Sequence, residues 1–133
     1  MRGTTNAMLL LTFGITLFGC DGESDITGLD IIAPEDGVLF VNEIMPGNDG
    51  IYADENDEYD DWFELFNSGS ESVDICGMYV TDDVSLSMSE WWRIPDTDPS
   101  ATTIPPGGYL VLWADGQPDQ GPLHVDFKLS GTG

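Results

Sequence analysis

The chain has 133 residues, with 25 acidic and 3 basic side chains and a formal net charge of −22 at pH 7. That length suits one domain with appendages, and so negative a surface argues against nucleic acid, whose phosphates are bound by neutralising Lys and Arg. The charge favours divalent cations, basic partners or plain solubility, and it does not imply disorder: 41% of residues are apolar, and four Trp, four Tyr and six Phe can supply a core.

Arg2 opens a short polar start, and Met8 to Phe18 is a nearly unbroken apolar run. The run fits the apolar segment of a signal peptide and falls short of the roughly 20 residues of a membrane span. It ends in Leu17-Phe18-Gly19-Cys20. This quartet resembles the lipobox of bacterial lipoproteins, in which the cysteine is acylated and becomes the mature N-terminus. The resemblance implies that residues 1–19 are a lipoprotein signal peptide and that Cys20 is the lipid-attachment site. The alternative is an ordinary signal peptide, or a buried first helix, in which Cys20 is incidental. All 25 acids follow Cys20, against two bases, Arg93 and Lys128. Residues 20–37 hold Gly22, Gly28, Pro34 and Gly37 with little periodicity, and read as an acidic flexible tether. If Cys20 carries lipid, no intramolecular disulfide can form, and Cys76 is expected to be a small packed residue.

From Val38 onward the texture changes to short β-like runs. Val38 to Met45 opens the domain. Asp61 to Asn67, "DWFELFN", alternates, with Phe63 and Leu65 on one face and Trp62, Glu64 and Phe66 on the other. Asn67-Ser68-Gly69-Ser70 reads as a turn. Met78 to Thr81 and Trp91 to Ile94 are short strand candidates, the second stopped by Pro95. Pro105-Pro106-Gly107-Gly108 is a turn in which proline presets φ and glycine takes positive φ. It launches Tyr109 to Ala114, the strongest strand pattern in the chain. Val125 to Leu129 is a last, weaker run. Short strands with regular turn signals, and no helical stripe after the signal peptide, predict an all-β sandwich or barrel.

The segments "VNEIMPGN", "DWFELFNSGSESVDICGMYVTDD", "WRIP", "TIPPGGYLVLWADG" and "LHVDFKLS" follow one another in the order and spacing of the lamin-tail domain. Residues Phe40 to Gly133 resemble the bacterial extracellular form of that family. The resemblance implies an immunoglobulin-like β-sandwich over residues 38–133, used for interaction and not for catalysis by the domain itself. In the family the "FKLS" block resembles an interior segment. With roughly six strand candidates against the about seven of such a sandwich, the domain is expected to lack its C-terminal strands and to be marginally stable or to associate.

The densest acidic run is Asp54 to Asp61. Asp54, Asn56, Glu58 and Asp60 place hard oxygen ligands at a spacing of two, which suits Ca²⁺. The EF-hand pattern fails, because Tyr59 occupies the glycine position and Leu65 the final glutamate position. The competing reading is a solvated acidic loop. Glu64 reads as an exposed strand residue or a partner of Arg93. His124, the one histidine, reads as an edge-strand side chain, and a catalytic zinc site commonly wants several. No nucleophile elbow or phosphate loop occurs. Trp91 and Trp92 could stack on sugars, but alternation puts them on opposite faces, so one is expected in the core and the other over a sheet edge.

The sequence therefore reads as a non-catalytic, lipid-anchored binding or display module of the cell envelope. It would sit on the outer side of the cytoplasmic membrane or on the outer membrane. Its partners would be membrane lipid, through acylated Cys20, and an unknown protein or surface ligand. No catalytic residue and no cofactor beyond Ca²⁺ is expected. The alternatives are a truncated accessory domain of a larger secreted or surface hydrolase, and a calcium-responsive adhesive module.

Overall fold

The computed structural model describes residues 38–129. The expected signal peptide, Cys20 and the tether lie outside these residues. Seven strands follow in order: β1 (Leu39–Met45), β2 (Trp62–Asn67), β3 (Val73–Asp74), β4 (Tyr79–Val80), β5 (Trp92–Arg93), β6 (Thr103–Ile104) and β7 (Tyr109–Trp113). A four-residue helix, α1 (Pro99–Thr102), precedes β6. The strands form a three-stranded sheet in the order β1-β2-β7 and two short pairs, β3-β6 and β4-β5. All these pairings are antiparallel. This is the all-β, immunoglobulin-like sandwich that the sequence implied.

The alternation of "DWFELFN" makes β2 the centre of the larger sheet. Phe63 and Leu65 are 0% and 1% exposed. On the other face Trp62, Glu64 and Phe66 stand opposite Trp113, Val111 and Tyr109 of β7. Strand β1 needs a correction to strict alternation. Its register shifts between Val41 and Glu43, so that Val41 pairs with Leu65 but Glu43 pairs with Glu64. This β-bulge inserts one residue, Asn42. Val41 and Ile44, three apart, can then both pack against the core. The inner face of the sheet joins Ile75, Met78, Val80, Ile94 and Ile104 from the region of the short pairs in one buried cluster.

The Pro105-to-Gly108 turn forms as expected. Gly108 N donates to the Pro105 carbonyl at 2.9 Å, and Gly107 sits at φ 68°, the positive value that a type II turn requires at its third position. The Val125-to-Leu129 run, however, is not a strand. His124 bridges Trp113 in the parallel sense and Lys128 bridges Asp115 in the antiparallel sense. A chain that reverses its sense against β7 within so few residues cannot sustain a ladder. Strands β3 and β6 were not expected, and they raise the strand count above the roughly six candidates. Trp92 packs against the core, while the Trp91 Nε1 donates to the Leu86 carbonyl at 3.1 Å. One Trp is therefore core and the other covers a loop.

Asn67 ends β2 and is 0% exposed. Its Nδ2 donates to the carbonyls of Glu71, Ile104 and Pro105 at 2.8, 3.0 and 3.3 Å, and its Oδ1 accepts from Gly69 N at 2.9 Å. One amide thus ties the turn after β2 to the turn before β7. Asn67→Ala leaves a buried carbonyl unpaired, at a cost of about 1–3 kcal/mol. The urea midpoint of the full chain should fall accordingly. An unchanged midpoint would mean that water replaces the amide without loss.

Candidate functional site: an acidic loop docked on a buried histidine

Residues 46–61 join β1 to β2 without strand or helix. Loops beyond about 12–15 residues without internal structure are uncommon in compact domains and are often functional. This one is held by side chains. Asn48 is 3% exposed; its Nδ2 donates to the Tyr52 and Asp60 carbonyls, and its Oδ1 accepts from Ile51 N and Tyr52 N. Asp61 Oδ1 accepts from Gly47 N at 2.6 Å. Tyr52 then stacks on Trp113, with ring centroids 5.4 Å apart.

The acidic tip is a tight turn. Asp54 N donates to the Glu58 carbonyl at 2.9 Å. Asp54 Oδ1 accepts from Asn56 N at 2.8 Å and from Glu58 N at 2.9 Å. Asp57 takes φ 62°, a left-handed conformation that Asp tolerates better than most residues. The tip docks on the segment after β7 through polar contacts. Asn56 Nδ2 donates to Gln120 Oε1 at 2.8 Å, and Gln120 Nε2 donates to Glu58 Oε2 at 2.7 Å. The tip residues 55–59 are exposed, as in a solvated acidic loop, and are at the same time fastened to a second segment.

Beneath the tip lies His124, 0% exposed. Its Nδ1 meets Asp115 Oδ2 at 2.5 Å and its Nε2 meets Glu55 Oε1 at 3.0 Å. Asp115 is itself buried, and its Oδ1 accepts from Gln117 N at 2.8 Å. His124 is thus not the edge-strand residue that the sequence suggested. A carboxylate buried at Asp115 needs a charged or donating partner, and the one imidazole supplies it. Carboxylate oxygens at both of its nitrogens favour the ring form that donates from both. Burial alone would push the His124 pKa down; the bonds and charges of Asp115 and Glu55 outweigh it, and the net shift is upward. A ring that donates twice has no lone pair for a general base or a metal ligand.

The four acidic-run residues expected to hold a cation divide. Asp54, Glu58 and Asp60 each place one carboxylate oxygen within 4.8 Å of the others. The Asn56 amide is turned to Gln120. Asp54, Glu55 and His124 make a second such group, in which His124 is committed to its carboxylates. Burial raises the Asp60 carboxyl above its ordinary pKa; the charge of Asp115 adds to the rise, Lys128 opposes it, and Glu58 and Asp54 add further.

Glu64 bonds Asn42 Nδ2 at 2.7 Å and not Arg93, whose guanidinium covers Gly77. The bulge is the cause, because it brings Asn42 alongside Glu64. Glu64 also lines an open depression with Tyr52, Tyr109, Val111 and Trp113. Cys76 is half-buried and disulfide-bonded, which corrects the expectation of a simple packed thiol. A half-exposed thiol is open to oxidation where a buried one is not. The chain has one other cysteine, Cys20, outside the described residues.

The family model of the lamin tail domain matches residues 33–132. No curated protein and no solved structure gives a significant match to this chain.

The His124 bridge makes stability depend on pH. A native pKa above the unfolded value means that the stabilisation is fully present below about 6.5, the unfolded His value. It is lost as pH rises through the native pKa. In buffer free of divalent cations, the urea midpoint should fall as pH is raised from 6 towards 9. His124→Gln should lower the midpoint at pH 6 and flatten that slope. A wild-type midpoint as flat as the variant's would show that the native ring is not charged.

Proposed function

We propose that this chain, which belongs to the lamin tail domain family, is a non-catalytic, lipid-anchored binding and display module of the cell envelope. The match to that immunoglobulin-like domain over residues 33–132 carries the reading. The chemistry of the described residues supports it. The one imidazole is held between two carboxylates, an arrangement that serves to fasten the acidic loop. The envelope address rests on the sequence alone, on the apolar run that ends in Leu17-Phe18-Gly19-Cys20. The ligand would be a protein or another surface component met outside the membrane.

A second reading follows from Cys76. It is disulfide-bonded, and Cys20 is the other cysteine in the chain. A sulfur in a thioether to lipid cannot also sit in a disulfide. In the second reading Cys20 staples the tether to the domain, and the chain is released without an anchor. Mass spectrometry of the mature protein, digested without reduction, separates the two. The anchored reading expects an acylated N-terminal Cys20, partition with membranes, and an unprocessed precursor in Cys20→Ser. A disulfide-linked Cys20–Cys76 peptide would establish the second reading instead. An unmodified N-terminus at another residue would overturn the lipid anchor.

A further inference from the structure

We propose that the tip of the β1–β2 loop is a Ca²⁺ site, with the carboxylates of Asp54, Glu58 and Asp60 as its protein ligands. This goes beyond the envelope reading and stands whether or not Cys20 carries lipid.

Two independent observations meet here. The first is spacing. Calcium takes oxygen ligands at about 2.3–2.6 Å, so two oxygens on one ion lie at most about 5 Å apart. The three carboxylate oxygens lie within 4.8 Å of one another. The second is an orphaned atom. Asp54 is 9% exposed, and its Oδ1 is consumed by the backbone N–H groups of Asn56 and Glu58. Its Oδ2 is buried and has no hydrogen-bond partner. A carboxylate oxygen held out of water with nothing to accept from is costly, and a cation between it and its neighbours removes the cost. Glu58 is half engaged, with Oε2 accepting from Gln120, which leaves Oε1 to the ion.

The donor set selects the metal. Three carboxylates and no sulfur or nitrogen make a hard oxygen site. The neighbouring group with His124 would offer a nitrogen, but both nitrogens of that ring are already engaged by Asp115 and Glu55. Magnesium demands a near-ideal octahedron at about 2.0–2.1 Å and sheds its waters reluctantly, so a set of three protein carboxylates suits calcium better. Glu58 is exposed and Asp60 half-buried, so water can complete the shell. Few protein ligands and an exposed edge place the affinity with extracellular calcium modules, with Kd of about 0.1–1 mM. The ion would join both ends of the turn, Asp54 and Asp60, and through Glu58 fasten the tip to Gln120.

The test is calorimetric and thermal titration of the full chain with CaCl₂, with MgCl₂ at equal ionic strength as the control for screening. Asp60→Asn is the cleanest variant, since Asp54 also organises the turn through Oδ1. Asp54→Asn is the second, and Asp49→Asn, with the same charge change in the same loop, is the control. The proposal expects one saturable Ca²⁺ site. It also expects a rise in Tm with CaCl₂ that exceeds the rise with MgCl₂. Asp60→Asn should weaken Ca²⁺ by about tenfold or more, as loss of one charged ligand does, and Asp49→Asn should leave the affinity unchanged. Equal Tm shifts from the two salts, or equal Ca²⁺ affinity in Asp60→Asn and Asp49→Asn, would overturn it and leave only charge screening.

Discussion

The polar half of this domain depends on one buried interaction, the pairing of His124 with Asp115. Both side chains are essentially inaccessible to water. A buried carboxylate without a partner is among the most expensive arrangements a fold can hold, and so is a buried imidazolium. Together, with Glu55 at the second ring nitrogen, they are tolerable. Their union sets where the chain goes after β7. Trp113 N donates to the Leu123 carbonyl at 2.8 Å, and Val125 N donates back to the Trp113 carbonyl at 2.9 Å. The chain from Gly121 to Val125 is thereby pressed against the end of β7, and Val125 enters the core at 0% exposure.

The domain therefore has two regimes of stabilisation. Between the β1-β2-β7 sheet and the short pairs, apolar side chains such as Phe63, Leu65, Ile94 and Leu112 are fully buried. Each contributes roughly 1.5–3 kcal/mol, and that contribution is largely indifferent to salt and pH. Around residues 48–61 and 115–124, order comes from amides, carboxylates and backbone groups. Such contacts are individually worth about 0.5–1.5 kcal/mol and respond to the charge around them. The division places the solution-sensitive part at one end of the domain and the indifferent part beneath the sheets.

The apolar regime was legible in the sequence. "DWFELFN" alternates with period two, "YLVLW" is a continuous β-prone apolar run, and turn residues such as Asn67, Ser68, Pro106 and Gly108 flank them, so β2 and β7 emerge with nearly the right bounds. The two-residue strands β3 and β6 were not legible, since Val73-Asp74 and Thr103-Ile104 are too short to show a period. Their pairing is set by tertiary packing, and Thr102 Oγ1 reaching Asp74 Oδ1 at 2.7 Å helps to fix it. The polar site was half legible. Regular spacing marked Asp54, Glu58 and Asp60, because all three sit on one local turn. Nothing marked His124, whose partners Asp115 and Glu55 lie 9 and 69 positions away. A lone histidine gives no spacing to read, and only the fold assembles its neighbours.

The same geometry explains why so acidic a chain folds without a matching set of bases. Arg93 covers Gly77 on the β4-β5 side, which leaves Lys128 and the His124 imidazole to face the acids of the loop. Many carboxylates there are answered by dipoles. Asp54 draws two backbone N–H groups onto one oxygen, Asp115 draws that of Gln117, and Asp61 draws that of Gly47. An N–H donor aimed at a carboxylate is a charge-assisted bond, roughly twice as strong as a neutral one. It needs no counter-charge and leaves the net charge untouched. The acidity can therefore serve solubility and repulsion between copies, while the folded state draws on the backbone for the compensation that lysine or arginine would supply elsewhere. One oxygen is left unanswered by dipoles at the loop tip: the second oxygen of Asp54 is buried without a donor. That oxygen belongs to a residue whose carboxylate stands within reach of two others, Glu58 and Asp60.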